Sequence, residues 1–197
     1  MDKIQFLSDY FKKYATAVEV LKEPNEESLS NMEDIEKIFD ERYGYGWSQD
    51  REGILNDLLQ KDAVSVTIKD DNGIILGYVY GYKCSLEDVE DAEEELNGIE
   101  LSEIKNLASQ GKLFYIANLV VKPEVRARLL ELLLRFKEEI KNKGYRYAVM
   151  EALSDSARLI FNDDGSIKER RLQLLNAKIE MVMDEGDGRK LIFVKLL

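Results

Sequence analysis

The sequence contains no histidine, one cysteine and only two prolines among its 197 residues. Without histidine, the chain lacks the side chain that most often acts as a general base near neutral pH, and no catalytic triad runs through imidazole. The lone Cys84 excludes an internal disulfide and a thiolate metal cluster. We therefore predict no metal site, and we interpret Cys84 as a small buried side chain without an activating partner.

Long apolar segments and a surplus of positive charge are also missing. No stretch approaches the roughly 20 apolar residues of a membrane span, and charges interrupt the first residues too early for a signal peptide. With 28 basic and 39 acidic residues the net charge is −11, which opposes binding to a nucleic-acid backbone. Together with the unpaired cysteine, these features predict a cytoplasmic protein that binds neither membranes nor nucleic acids.

Hydrophobic residues make up 45% of the chain, enough for one domain of this length to bury a core. In chain order the predicted elements are a helix at 2–14, a strand at 15–22, helices at 31–42 and 50–61, strands at 63–69, 74–83 and 113–121, a helix at 123–142, a strand at 145–153, a helix at 167–175, and a hairpin of 178–183 with 190–196. We treat 1–14 as a helical extension and 15–197 as a single domain. The order predicts a mixed α/β (α+β) fold with a central, mostly antiparallel sheet flanked by helices.

An acidic excursion at 85–111 interrupts the series of strands. Between residues 85 and 103 the chain holds nine carboxylates and neither lysine nor arginine. We interpret this excursion as a solvated helical segment between two strands, or alternatively as a docking surface for a basic protein partner.

Two short stretches of sequence resemble a known family. The stretches are Asn-Leu-Val-Val-Lys-Pro-Glu-Val-Arg (118–126) and Lys-Gly-Tyr-Arg-Tyr-Ala-Val-Met-Glu (143–151), in this order and flanked by hairpins. They resemble the strand-to-helix crossing and the following strand of the GNAT superfamily of N-acetyltransferases. The resemblance covers nearly the whole chain from about residue 15. It implies transfer of an acetyl or other acyl group from coenzyme A to an amine on a small molecule or a protein.

The resemblance also implies where acetyl-CoA, or another acyl-CoA, would bind. In the family, strand backbone groups hold the pantetheine arm, here at Leu119, Val120 and Val121, and the next helix N-terminus holds the pyrophosphate. The corresponding turn comprises Arg126, Ala127, Arg128, Leu129 and Leu130. It departs from the family pattern because it lacks the glycine that lets backbone approach phosphate closely. We interpret Arg126 and Arg128 either as compensating phosphate ligands or as surface arginines that open an amphipathic helix.

The acid and base positions also depart from the family pattern. The usual strand carboxylate corresponds to Asn118, which cannot accept a proton from the acceptor ammonium. The usual helix tyrosine corresponds to Phe161 or Leu174, neither of which donates a proton. Tyr115 and Glu151 are therefore the candidate catalytic substitutes, with core packing and a strand-end hydrogen bond as their alternative roles.

The aromatic loop after the first long helix is the candidate acceptor pocket. Tyr43, Tyr45 and Trp47 alternate with glycines, and aromatic rings on a flexible loop suit a binding edge. The alternative is a loop that packs its rings on the core.

The sequence leaves two functions open, an active acyltransferase and a non-catalytic protein of the same fold. The second would bind a protein partner through its acidic or aromatic surface. The order of elements favours the first, and acyl transfer needs mainly positioning and a deprotonated amine. The departures at the turn, the strand and the following helix favour the second. Exposed strand edges near the C-terminal hairpin also leave a homodimer open.

Overall fold

The computed structural model describes residues 16–43, 48–95, 101–153, 169–184 and 189–197. The strands are β1 (Ala17–Val20), β2 (Val64–Lys69), β3 (Ile75–Lys83), β4 (Leu113–Val121), β5 (Tyr147–Leu153), β6 (Ala177–Asp184) and β7 (Arg189–Leu196). The helices are α1 (Glu26–Tyr43), α2 (Arg51–Leu58), α3 (Leu86–Glu95), α4 (Ser102–Ser109), α5 (Leu129–Asn142), which follows a 3₁₀ helix at Pro123–Arg128, and α6 (Glu169–Leu175). None of these helices is long and apolar enough to cross a bilayer.

The strands form one seven-stranded sheet in the order β1-β2-β3-β4-β5-β7-β6. Strand β4 pairs with β5 in parallel, whereas β1 with β2, β5 with β7 and β6 with β7 are antiparallel. The β4–β5 register runs from Leu113↔Tyr147 to Ile116↔Met150, and β4 continues beyond these pairs to Val121. The predicted mixed α/β fold with a mostly antiparallel sheet is confirmed. The division at residue 15 stays a prediction, because 1–15 lie outside the described residues.

The chain forms two compact units, which we describe separately. The first unit takes its residues from Met1–Leu59, Val64–Tyr80 and Asn118–Phe136. The second takes its residues from Gln60–Ala63, Gly81–Ala117 and Lys137–Leu197. Strands β3 and β4 therefore each contribute residues to both units.

In the first unit, α1 begins at Glu26, five residues before the predicted start. The cause is a cap that was not predicted. The backbone N–H of Ser28 donates to Asn25 Oδ1, and the Asn25 N–H donates back to Ser28 Oγ, each at 2.8 Å. This reciprocal pair satisfies backbone donors that a helix N-terminus leaves without partners. Asn31 lies inside α1, where its Oδ1 accepts from the Ile75 N–H at 3.0 Å.

In the second unit, the acidic excursion covers part of the core. Helix α3 has the acidic surface that the sequence predicts, whereas α4 has one glutamate and one lysine, and both helices also have buried apolar residues. The core cluster contains Cys84, Val89, Leu101, Ile104, Ala108, Leu113, Val149, Met183, Leu191 and Phe193. Because a fully buried aliphatic side chain contributes about 1.5–3 kcal/mol, the excursion is a structural layer of this unit as well as a solvated surface.

Two glycines on β3 permit close backbone approaches, one in each unit. A Cβ at Gly81 would lie 2.1 Å from the carbonyl oxygen of Tyr115 and 3.0 Å from Cα of Ile116. A Cβ at Gly77 would lie 3.1 Å from Cα of Val121. Only glycine fits at the first position without a shift of the backbone, whereas the second is tight but less severe.

Candidate functional site

A buried carboxyl lies in the first unit, on the inward face of α1. Leu29 and Met32 are buried on this helix, and Glu36 follows them at i+7 and i+4, so the three side chains share a face. Glu36 is only 5% exposed. Tyr78 Oη and Asn118 Nδ2 both donate hydrogen bonds to Glu36 Oε1. We name Glu36, Tyr78 and Asn118 the Glu36 cluster.

Burial governs the protonation of the Glu36 cluster. Desolvation raises the pKa of Glu36 above its ordinary value, although the hydrogen bonds from Tyr78, Asn118 and the Gln49 backbone oppose the shift. Burial, followed by the neighbouring Glu36 carboxyl, raises the pKa of Tyr78 well above that of an exposed tyrosine. The phenol therefore stays protonated as a donor, and the carboxyl is a stronger base than an exposed glutamate.

Further polar side chains extend this arrangement within the first unit. Tyr80 Oη donates to Gln49 Oε1 and lies 3.3 Å from Asp57 Oδ2, and Gln49 Nε2 donates to the same Asp57 oxygen at 3.1 Å. The rings of Tyr78 and Tyr80 stack with centroids 5.8 Å apart. Because these polar groups have partners, they hold α1 and α2 in fixed positions against β3.

The second unit contains a pocket of about 190 Å³. Its lining residues are Tyr82, Cys84, Asp88, Val89, Asp91, Leu101, Ile104, Tyr115, Val149, Glu151 and Leu191. Tyr115 Oη lies 3.3 Å from Glu151 Oε1, and the rings of Tyr82 and Tyr115 lie 5.5 Å apart with an interplanar angle of 57°. Burial, followed by the Glu151 charge, raises the pKa of Tyr115, which keeps its phenol protonated.

Cys84 is buried in the wall of this pocket. Its Sγ lies 3.6 Å from the carbonyl oxygen of Ser85. Burial, with a contribution from Asp88, raises the pKa of the Cys84 thiol to about 12, so the group stays in its unreactive thiol form at neutral pH. The interpretation of Cys84 as a small buried side chain is confirmed.

The structure divides the predicted catalytic residues between the two units. Asn118 belongs to the Glu36 cluster in the first unit, whereas Tyr115 and Glu151 meet in the pocket of the second. Their catalytic roles stay predictions. Glu36 and Tyr78 are not among the predicted site residues, although the position of Glu36 among the apolar residues of α1 is a signal that the sequence contains.

The predicted coenzyme segment lies in the first unit. Leu119 is half-buried on β4, and Val120 and Val121 are buried. The predicted pyrophosphate turn, 126–130, comprises the end of the 3₁₀ helix and the first two residues of α5. The guanidinium of Arg128 donates to the Glu131 carboxylate from Nε and Nη2, at 2.7 and 2.9 Å.

Other contacts engage the same turn. Arg128 Nη1 donates to the carbonyl oxygen and the hydroxyl of Thr16, at 2.6 and 2.9 Å. The backbone N–H of Leu129 donates to the Arg126 carbonyl oxygen. By contrast, the side chains of Arg126, Ala127 and Leu130 are exposed. Two of the predicted phosphate ligands, the Arg128 side chain and the Leu129 N–H, therefore already have protein partners.

The predicted acceptor loop and one of the two positions aligned with the family's helix tyrosine lie mostly outside the described residues. Tyr45 and Trp47 lie outside the described residues, and Tyr43 is the last residue of α1. Phe161 also lies outside the described residues, whereas Leu174 is an exposed residue of α6. The prediction of an aromatic acceptor pocket is therefore untested.

The backbone resembles those of solved acetyltransferases. A GNAT-family acetyltransferase from Staphylococcus aureus superimposes with a TM-score of 0.60 at 9% identity, over 92% of this chain and 100% of that one. An acetyltransferase from Streptococcus agalactiae gives 0.58 at 12%, over 92% and 98%. The aminoglycoside 6'-N-acetyltransferase from Enterococcus faecium gives 0.57 at 11%, over 92% and 97%. No protein-family model and no curated protein matches the sequence. The chain has the fold of the GNAT acetyltransferases, as its two characteristic stretches of sequence predicted.

Proposed function

We propose that the protein transfers an acetyl or other acyl group from coenzyme A to an amine, with Glu36 as general base. The observation that carries the proposal is the buried Glu36 carboxyl, which accepts a hydrogen bond from Asn118. By resemblance, Asn118 occupies the strand position where the family has its carboxylate. Helix α1 therefore supplies a carboxylate, that of Glu36, beside a strand position that carries an amide instead. The fold shared with solved acetyltransferases supports the same class of reaction.

Each group of the Glu36 cluster has a role in the proposed reaction. Bound acyl-CoA would supply the activated thioester. As the amine nitrogen bonds to the acyl carbon, the C–S bond of the thioester would break and coenzyme A would leave as its thiol. Glu36 accepts the proton that the acceptor ammonium loses before this attack, through one bridging water because the carboxyl is only 5% exposed. Tyr78 and Asn118 orient the carboxyl by donating to its Oε1. The raised pKa of Glu36 makes it a stronger base for this step.

The residues after Asn118 fit the pantetheine arm better than the following turn fits the pyrophosphate. Residues 119–121 are extended, as binding of the arm through strand backbone requires. In the turn, Arg128 and the Leu129 N–H already have partners. We therefore assign the phosphate contact to the exposed Arg126. Loss of two charge-assisted hydrogen bonds predicts an affinity roughly 10²- to 10⁴-fold below that of a complete turn.

Single arginine variants test this assignment. Arg126→Ala should weaken acetyl-CoA binding about tenfold or more, the loss of one charge-assisted hydrogen bond, and should leave thermal stability unchanged. Arg128→Ala should lower stability instead, because it removes the contacts to Glu131 and Thr16. Calorimetric titration and thermal unfolding of both variants measure the two effects. Unchanged affinity in Arg126→Ala would remove the arginine from the proposal.

The second candidate is a non-catalytic protein of the same fold that binds a basic protein partner. The observation that favours it is the turn, where Arg128 and Leu129 are engaged within the first unit. Helix α3 would then be the docking surface, because Glu87, Glu90 and Asp91 are exposed on it. Neutralising these three carboxylates should abolish binding to a basic protein at low salt.

Calorimetric titration distinguishes the two functions. We expect acetyl-CoA and desulfo-CoA to bind, and ATP, which lacks the pantetheine arm, to bind much more weakly. No binding at millimolar acetyl-CoA would contradict the transferase and leave the partner-binding function.

Turnover with a panel of primary amines then tests the base. Glu36→Gln should reduce thiol release about 10²- to 10⁴-fold, the usual contribution of a general base, with acetyl-CoA affinity unchanged. Glu41→Gln, the same change at an exposed position on α1, is the matched control and should retain full activity. Equal rates in Glu36→Gln and the wild type would exclude Glu36 as the base.

A further inference from the structure

The pocket of the second unit has the size and lining of a site for one small ring. Its volume is about 190 Å³, somewhat larger than the roughly 150 Å³ cavity that accommodates benzene in another protein. Apolar side chains form much of the wall, from Val89, Leu101, Ile104, Val149 and Leu191. A ligand that fills this space therefore needs an apolar body of about six to nine heavy atoms.

The polar side chains of the pocket define the charge of that ligand. Three carboxylates line it, Asp88 and Asp91 from α3 and Glu151 from β5, and the described lining residues include no lysine or arginine. These carboxylates would repel an anion, whereas carboxylates on both α3 and β5 would attract a cation.

The three carboxylates do not have the same structural duty. Asp88 caps α3, because its Oδ2 accepts from the Ser85 N–H at 2.6 Å and its own N–H donates to Ser85 Oγ at 3.1 Å. Ligand recognition is assigned to Asp91 on α3 and to Glu151 on β5, whose Oε1 lies 3.3 Å from Tyr115 Oη, because these two carboxylates line the pocket from different elements.

Two aromatic rings add a second feature that suits a cation. Tyr82 and Tyr115 lie 5.5 Å apart and tilted, so the pocket has aromatic surface beside its carboxylates. Aromatic faces attract ammonium groups through the negative potential above the ring. A metal ion fits less well, because among the described residues no three carboxylate or thiol side chains converge as metal ligands.

We propose that this pocket binds a small organic cation, an ammonium group carried on an apolar or aromatic body. The carboxylates of Asp91 and Glu151 receive the ammonium, the tyrosine rings flank it, and the aliphatic wall holds the body. All of these residues belong to the second unit. The inference is independent of the transferase proposal, which uses residues of the first unit.

Three ligands of one shape and different charge test the proposal on the unaltered full chain. Benzylammonium, benzyl alcohol and benzoate are titrated while methyl resonances of Val89, Ile104 and Leu191 are followed by NMR. We expect benzylammonium to bind at least about tenfold more tightly than benzyl alcohol, and benzoate not to bind. Equal binding of the alcohol, or no methyl shift at about 10 mM benzylammonium, would overturn the proposal.

Variants then locate the charge that is recognised. Asp91→Asn and Glu151→Gln should each weaken benzylammonium binding roughly tenfold, the loss of one charge-assisted contact. Glu90→Gln is the matched control, because this exposed carboxylate of α3 does not line the pocket. The same weakening in Glu90→Gln would assign the effect to the general acidity of the helix and contradict a specific site. The three-ligand comparison decides the question even where a variant fails to fold.

Discussion

The first unit and the second unit each pack a tyrosine against a glutamate, but only the first unit buries the pair. In the first unit Tyr78 donates to Glu36, which is only 5% exposed and also accepts from Asn118. In the second unit Tyr115 lies 3.3 Å from Glu151, and both side chains are half-buried in the wall of a pocket. The same two side-chain types thus form a closed hydrogen-bonded cluster in one unit and an open wall in the other.

The elements that cover each pair account for the difference. Glu36 is carried by the 18-residue helix α1, whose apolar face draws the carboxyl into the core. Glu151 lies on β5 and is covered by the short helices α3 and α4, of 10 and 8 residues, which leave a hollow above it. How completely the neighbouring elements enclose a tyrosine–glutamate pair therefore decides whether its carboxyl is sealed in the core or lines a pocket.

The largest expected effect comes from crowding the backbone of β3 against β4, the strand that carries Tyr115 of the second pair. Gly81→Ala would place Cβ 2.1 Å from the Tyr115 carbonyl, so β3 and β4 must shift apart. We expect a loss of about 3 kcal/mol or more in the free energy of unfolding, at the upper end of overpacking costs. Gly77→Ala, with its nearest contact at 3.1 Å, should cost about 1 kcal/mol. Urea unfolding measures both, and equal losses would contradict the difference in crowding.

Removing each phenolic hydroxyl compares the two pairs directly. Tyr78→Phe takes a donor from a buried carboxyl and should cost about 1–3 kcal/mol of unfolding free energy. Tyr115→Phe removes a longer contact to a half-buried carboxyl and should cost about 1 kcal/mol or less. Chemical denaturation of both variants gives the ranking. A larger loss in Tyr115→Phe would show that the second pair is as closed as the first.

The smallest expected effect is the pH dependence of stability at Glu36. Because its pKa is raised in the folded protein, Glu36 contributes stability below its ordinary pKa and loses it as pH rises through the folded value. Glu36→Gln, which cannot ionise, should therefore gain stability relative to the wild type at pH 7. That gain should shrink as the pH approaches the ordinary glutamate range. A gain that does not vary with pH would show that Glu36 titrates normally.

Glu33, on the same helix, provides a control of opposite sign. Lys37, followed by Arg51, holds the pKa of Glu33 below its ordinary value. Its contribution to stability is present above the ordinary value and is lost as pH falls through the folded one. Glu33→Gln should therefore lose stability at pH 7, and the loss should diminish on acidification. Thermal unfolding of both variants from pH 4 to pH 8 measures the two slopes.

Local signals predicted the fold better than they predicted the site. Strand β4 has the predicted bounds at Leu113–Val121, because a run of apolar residues ends at a proline. The predicted start of α1 at residue 31 is wrong because the reciprocal cap of Asn25 with Ser28 was not recognised in the sequence. Asn118 and Glu36 are 82 residues apart in sequence, and no periodicity connects them. Their contact follows from packing a helix on a sheet, which a local pattern does not specify.

The chain's one thiol makes the second unit easy to monitor. Cys84 is the only cysteine, it is buried, and its thiol stays protonated at neutral pH. An alkylating reagent reacts with it only when the surrounding core opens, so the labelling rate in the native protein measures how often that opening occurs. A ligand that occupies the adjacent pocket would slow labelling in proportion to its occupancy. The wild-type protein therefore carries its own reporter, and no probe has to be introduced.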